Sequence, residues 1–454
     1  MRQKAPCLLI LFVLTICQVA AGQDSLRIGS WNTANRPNSL ADNGAFFQVI
    51  KQMAVPDIFA IQETDTGSSA TLLNLFNQQQ PGSPFSIFTT SSDSGGDRTG
   101  LVYNTERVQF IESVDLSTGL THNTARATFL PLFSAYAEPV TVYSVHLNSG
   151  AADDDIRGLE ATILASDAAM LGADNVLFAG DFNLLSSDEP AWTNIDSNDL
   201  ANAPGDWRDN PDFIHLHTQN PGASLDDRFD FIFGSDSITD GVGFDYQPDS
   251  FTVFGNNGTH TLNGSIDTGT GASPDVLQSL ITASDHLPIY ADFQFISKPG
   301  DFDLDGDVDA DDIDFYSGQL GQSAIGELEQ LDLDADGLVT LADHDLHVGA
   351  LVETSSGGVG TFVGDINLDG TVDVLDDAFI LIGNLGNTGT GYAGGDLNAD
   401  QTADVLGDAF RLVGNLGKSN GAGGVSTSAI PEPANSSVLL LALVGAAIVR
   451  THLR

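Results

Sequence analysis

Cysteine, basic side chains and long apolar runs are all scarce in this chain, and each scarcity excludes something. The two cysteines, Cys7 and Cys17, lie in the first apolar segment, so a chain that loses it has no disulfide to hold a small domain together. Sixteen Lys and Arg stand against 62 Asp and Glu, a formal charge of -46 over 454 residues. Proteins that grip a nucleic-acid backbone usually present the opposite balance. The longest apolar runs lie near the two ends, and both are short for a membrane span. At this length one core does not suffice, and two or more domains are expected.

The ends carry their own signals. Residues 1–22 combine Arg2 and Lys4, an apolar run from Leu8 to Val19, and the small residues Ala20-Ala21-Gly22. That order predicts a secretory signal cut near Ala21 to Gln23. At the other end, Ile430-Pro431-Glu432-Pro433 precedes the apolar stretch Val438 to Val449 and then Arg450 and Arg454. Residues 430–454 thus resemble the PEP-CTERM sorting signal of Gram-negative bacteria. The resemblance implies processing by an exosortase-type membrane enzyme and membrane contact through the tail. A simple short apolar anchor is the alternative. Either way, an exported protein is expected, extracellular or at the cell surface.

Between residues 25 and 296, short apolar segments end repeatedly in polar side chains. Leu26 to Asn32 alternates as a strand, and Ile58 to Ile61 reads as a buried strand ending in Gln62-Glu63. Thr141 to Leu147 carries His146. Val176-Leu177-Phe178-Ala179 opens through Gly180 into Asp181-Phe182-Asn183, where a period of two places Asp181 and Asn183 on one face and Phe182 in the core. Arg157 to Leu171 is the clearest helix, with Leu159, Ile163, Leu164 and Leu171 as its apolar stripe. Arg157 is expected on that helix's surface, and Asp226 and Asp227 in solvent. Arg228 to Phe233 is a further strand, carrying Asp230, and Ser284-Asp285-His286 leads into the last. Loops at one end of a sheet converge, so these groups can share a site.

The series WN, QE, SVHL, GDFN, RFDFIF and SDHLPI resembles the endonuclease/exonuclease/phosphatase superfamily, the fold of DNase-I-like nucleases and neutral sphingomyelinases. It implies an α/β protein, specifically a four-layered α/β sandwich with two sheets face to face and helices outside. It also implies metal-dependent phosphoester hydrolysis. By that resemblance Glu63 holds Mg²⁺ or Mn²⁺ with Asn32 and Asp285 nearby, a donor set suited to a hard cation. His146 and His286 flank the phosphate, Asp230 fixes the tautomer of His286, Asp181 orients or deprotonates water, and Asn183 donates to a phosphoryl oxygen. The choice of base between Asp181 and His286 stays open, and no carboxylate partner for His146 is evident.

After the linker 297–300 the composition turns to Asp and Gly, in four blocks 31 to 33 residues apart. The first places Asp301, Asp303, Asp305, Asp309 and Asp312 at EF-hand ligand positions, with Gly306 at the turn. The second has Asp332, Asp334, Asp336, Thr340 and Asp343, and the third Asp365, Asn367, Asp369, Asp373 and Asp376. The fourth keeps Asp396, Asn398, Asp400 and Asp404, but Gln401 replaces the glycine and Asp408 falls one place late. A weaker or empty fourth loop is therefore expected. Short apolar helices follow the loops. The blocks resemble two small all-α dockerin-like modules, 301–352 and 362–417, which implies bound Ca²⁺ and a cohesin-like partner.

The expected function is a secreted phosphodiesterase acting on nucleic acid, or on lipid or small-molecule esters as a sphingomyelinase does. A catalytically inactive binding or scaffolding protein is the alternative from another class.

Overall fold

The computed structural model describes residues 25–420 except 80, 81, 83, 94, 133–137, 297, 304 and 305. The expected signal at 1–22, the tail at 430–454 and Asp305 lie outside the described residues. Among the described residues, no helix is long and apolar enough to cross a membrane. The chain divides into two compact units, with the boundary between Ile296 and Ser297.

Among the described residues, the first unit contains thirteen strands and five α-helices. The strands are β1 (Ser25–Asn32), β2 (Ile58–Thr64), β3 (Phe85–Thr89), β4 (Arg98–Asn104), β5 (Val108–Ser117), β6 (Asn123–Pro131) and β7 (Val140–His146). Then come β8 (Asn175–Asp181), β9 (Asn198–Asp199), β10 (Asp230–Gly234), β11 (Gly243–Tyr246), β12 (Thr252–Val253) and β13 (Ile289–Ile296). The helices are α1 (Leu40–Gln52), α2 (Thr66–Gln79), α3 (Asp154–Leu171), α4 (Pro190–Asn194) and α5 (Pro274–Ala283).

One sheet runs β11-β13-β1-β2-β4-β3 with β12 beside β13, and the other runs β5-β6-β7-β8-β10-β9. Alternation along β8 shows how the layers stack. Leu177 and Ala179 join the core that also holds Ile28, Ile58 and Ala60, between the sheets. Val176 and Phe178 join Leu164 of α3 and Phe231 and Phe233 of β10, on the outer face. On the other sheet Trp31 packs on Phe46 of α1 at 4.5 Å, and Phe59 on Phe76 of α2 at 5.5 Å. A helix layer therefore covers each sheet.

Each sheet contains one parallel pair, β1 with β2 and β7 with β8, joined by α1 and α3 respectively. Parallel neighbours end on the same side. Asn32, Glu63, His146 and Asp181 therefore all lie at carboxyl ends of strands. Asp230, which begins β10, pairs antiparallel with Asp181 and enters at the same rim.

Helix α3 differs from the expected apolar stripe. Leu159 is 58% exposed, while Arg157, Gly158, Glu160, Ala161 and Leu164 are buried. The reason is local: two buried polar residues on this face tie down neighbouring loops, so the helix is turned to serve them. Arg157, expected at the surface, binds the Glu189 carboxylate at 2.6 Å and the carbonyls of Asn148 and Gly150. Asp227 is likewise buried rather than solvated, and burial pushes its carboxyl up to about 6.

The second unit contains the short helices α6 (Ala310–Ile313), α7 (Leu341–Ala350), α8 (Phe379–Asn384) and α9 (Phe410–Asn415). Turns of 3₁₀ helix accompany them, with π-helical turns at Val374–Ala378 and Val405–Ala409. Val308, Ile313, Val348 and Val352 from the first two blocks share one core with Ile366, Val372, Leu381, Leu397 and Leu412 from the last two. The Asp314 carboxylate also accepts from the Tyr392 N–H at 2.6 Å.

Candidate active site

The site lies where the inward faces of both sheets turn polar. Along β7 the inward side chains are Val142, Ser144 and His146, and along β8 they are Leu177, Ala179 and Asp181. Gln62 of β2 bonds Ser30 of the neighbouring strand and Ser144 across the gap, so the polar transition begins one step below the rim. Gly180 is required there: a Cβ on it would meet the Val145 carbonyl oxygen at 2.0 Å.

At the rim, Asn32 Nδ2 donates to Glu63 Oε1 and to Asp181 Oδ2, both at 2.9 Å. His146 Nε2 lies 3.8 Å from each of those two oxygens. His286 Nε2 lies 3.6 Å from Asp181 Oδ2, and its Nδ1 is 2.8 Å from Asp230 Oδ2. The His286 backbone is fixed as well, by Trp31 Nε1 donating to its carbonyl and by its own N–H donating to Ser284 Oγ.

Glu63 reaches this cluster through a strained backbone. Regular alternation after the inward Gln62 would send Glu63 to the helix side. Instead it adopts φ +46° at an irregularity in the β2–β4 pairing, which re-aims its side chain. Asn183 is also left-handed at φ +51°, because β8 has already ended at Asp181. The simple period of two does not extend that far, although Phe182 is fully buried as expected. Asn183 Nδ2 donates to the Leu147 carbonyl, and its N–H donates to Asp181 Oδ1.

Glu63, His146 and Asp181 each offer one ligand atom within 4.8 Å of the others. The two carboxylate oxygens suit a hard divalent cation such as Mg²⁺ or Mn²⁺, and the imidazole nitrogen beside them is a softer donor. Asp285 is not among the groups that converge there. It is exposed, 3.5 Å from Ser284 Oγ, and lines a neighbouring cleft with Arg36 and Asn220.

Burial pushes Asp181 up to about 7, opposed by His286 and reinforced by Asp230 and Glu63. Burial alone would lower His286, but Asp230 and Asp181 outweigh it and hold the imidazole at about 10. His146 is pulled well below its ordinary range, by burial and then by the imidazoles of His122 and His286.

Two residues of this neighbourhood carry no motif. His122 stacks on His146 with ring centroids 3.9 Å apart and planes 7° apart, and its Nδ1 meets Asp93 Oδ2 at 2.5 Å. The available signal was register: continuing the β6–β7 pairing from Ala125 opposite Ser144 brings residue 123 opposite His146.

The second unit repeats one loop geometry four times. The Asp312 carboxylate accepts from the N–H groups of Phe302, Asp303 and Asp309, and Asp343 accepts from those of Asp334 and Thr340. In the third loop this role falls to Asp377, which accepts from Ile366, Asn367 and Asp373, while Asp376 is exposed. In the fourth it falls to Asp408, which accepts from Leu397 and Asp404. The π-helical turns absorb the extra residue and bring both late aspartates into register. Position one is likewise uniform, with Asp332, Asp365 and Asp396 accepting from Gly337, Gly370 and Gln401 N–H. Asp334, Asp336, Asn367, Asp369, Asn398 and Asp400 complete the loops through short local hydrogen bonds. Asp301, Asp303 and Asp312 converge, as do Asp307, Asp309 and Asp312, and Asp332, Asp334 and Asp343.

A family model described as the Endonuclease/Exonuclease/phosphatase family matches residues 29–286. No curated protein matches the chain. Among solved structures, an endonuclease/exonuclease/phosphatase family protein from Bacteroides thetaiotaomicron is 17% identical, with 60% of this chain and 98% of that chain covered at a TM-score of 0.41. The mannosyl-6-phosphatase of the same bacterium is 17% identical, with 60% and 100% covered at 0.40. Danio rerio TDP2 complexed with a single-strand DNA product is 20% identical, with 60% and 99% covered at 0.41.

Proposed function

Because the chain belongs to the endonuclease/exonuclease/phosphatase family, whose members hydrolyse phosphoester bonds, we propose that its first unit is a metal-dependent phosphoester hydrolase. The observation that carries this reading is the convergence of Asn32, Glu63, Asp181, His146 and His286 at one rim, with Asp230 behind His286.

Glu63 and Asp181, with His146 Nε2 beside them, are the residues that would hold Mg²⁺ or Mn²⁺. The cation supplies charge neutralisation at the phosphoryl group. Asp181 orients the attacking water and accepts its proton. His286, kept cationic by Asp230, donates to a phosphoryl oxygen. His146 and Asn183 flank the same oxygens, and Asn32 fixes the two carboxylates. Asp285 adds negative charge near His286 without joining the cation.

The charge distribution favours a substrate with a single phosphoester over a nucleic-acid strand. Residues 25–296 contain nine Lys and Arg. Six of them face carboxylates: Arg27 with Asp292, Arg107 with Asp57, Arg126 with Asp167, Arg157 with Glu189, Arg208 with Asp227 and Arg228 with Asp199. Arg36 and Arg98 donate to backbone carbonyls. Few cations remain to follow a phosphate backbone.

The second unit is proposed to bind Ca²⁺ in its acidic loops, closed by Asp312, Asp343, Asp377 and Asp408, and to dock a cohesin-like protein. Export by the 1–22 segment and surface sorting by the 430–454 tail belong to the same proposal, as does processing by an exosortase-type enzyme.

The test is a Mg²⁺-dependent activity panel on DNA, RNA, sphingomyelin and bis(p-nitrophenyl) phosphate, with His286→Ala alongside. Turnover that the substitution lowers by at least about 100-fold is expected. Absence of turnover on every substrate would favour the inactive scaffold.

A further inference from the structure

The two histidines of the site are held in different ways. His286 has a carboxylate on its Nδ1, whereas among the described residues no hydrogen bond is made to the His146 ring. The terminal torsion of an imidazole is soft and roughly two-fold, so an untethered ring does not present Nε2 reliably. What His146 has instead is a flat neighbour: the His122 ring, 3.9 Å away and nearly parallel.

That neighbour is itself built into place. Asp93 binds His122 Nδ1, and the Asp93 carboxylate also accepts from the N–H groups of Gly95 and Asp97. The preceding residue, Thr121, donates its N–H to Glu160 of α3. Glu160 also accepts from the Asn148 N–H, two residues beyond His146. One buried carboxylate therefore sets the spacing between the loop that carries His122 and the strand end that carries His146. Asp93 and Glu160 lie in the site's flanks, and neither meets the converging donor atoms of Glu63 and Asp181.

We propose that His122, tethered by Asp93, is the positioning residue for His146, doing by stacking what Asp230 does for His286 by hydrogen bonding. The inference rests on the hydrolase reading for its effect on rate, but not for its effect on ring geometry. Flatness is the property required of residue 122. Removing the ring frees His146, whereas another flat ring restores it.

The full chain with Mg²⁺ is assayed on bis(p-nitrophenyl) phosphate as wild type, His122→Ala, His122→Phe and Asp93→Asn. His122→Ala is expected to lower kcat about 10- to 100-fold with KM within about twofold, the scale set by losing a residue that orients a ligand or catalytic group. His122→Phe is expected to recover most of the loss, and Asp93→Asn to fall between. A purely structural role predicts no rescue specific to a flat ring. A His122→Ala kcat within twofold of wild type, or a loss confined to KM, overturns the proposal. Crystal structures of wild type and His122→Ala give the second readout. A displaced or doubly oriented His146 ring in the variant supports positioning, and an unchanged ring overturns it. If the wild type turns over no probe, the hydrolase reading fails, and the ring geometry alone decides the role of His122.

Discussion

His286 Nδ1 sits 2.8 Å from Asp230 Oδ2, while the other oxygen of that carboxylate is buried with no hydrogen-bond partner among the described residues. The His286 imidazolium beside it is the partner that offsets the burial of this side chain. Asp230→Asn keeps the shape and removes the charge. It is expected to lower kcat by about 10- to 100-fold with little change in KM, measured by steady-state kinetics on the chromogenic diester.

The third acidic loop distinguishes two adjacent aspartates. Asp377 is buried against three backbone N–H groups and Asp376 is exposed. Asp377→Asn is expected to lower the calcium-dependent melting temperature of the second unit, whereas Asp376→Asn changes stability by no more than about 0.5 kcal/mol. Thermal melts in calcium and in chelator, followed by circular dichroism, separate them.

Without calcium, the second unit is expected to become less stable as pH rises. Burial pushes Asp312 and Asp377 up to about 6 and Asp408 to about 7, from an ordinary 3.8. The folded state therefore holds protons that the unfolded chain has already released. That contribution is fully present below about pH 4 and is lost as pH climbs through 6 to 7. Melts in chelator at pH 5 and pH 8 check the direction, and added calcium is expected to flatten the difference.

Gln401 occupies the turn position that glycine fills in the other three loops, and it keeps the left-handed backbone at φ +64°. A side chain there costs roughly 1 kcal/mol. Gln401→Gly is expected to raise the stability of the second unit by up to about that amount. Comparative melts in excess calcium read the change.

Much of this was visible in the sequence wherever a side chain's role depended on strand period alone. Asn32, His146 and Asp181 end apolar runs and Asp230 begins one, all four on the inward faces of their strands, so strand period alone located each of them. Glu63 was found by its motif, but its direction depends on an irregular left-handed residue that no period encodes. His122 and Asp93 escaped because they meet His146 through sheet register rather than through their own segments. Leu159 and Arg157 were misread for a related reason: periodicity ranks apolar residues inward, yet this helix buries an arginine and a glutamate that hold loops. In the last two acidic loops, EF-hand spacing points to Asp376 and leaves Asp408 one place late, whereas a π-helical turn brings Asp377 and Asp408 onto the backbone N–H groups of their loops.

The interior common to all four acidic blocks bears on how the second unit can be cut. Proteolysis in the connector between Val352 and Thr361 is expected to leave two fragments still clasped together. Ending the chain at Val352 instead would strand Val308, Ile313 and Val348 against water. The repeats are thus severable in sequence but not in space, and a shortened protein meant to display this unit needs the whole span through Leu412.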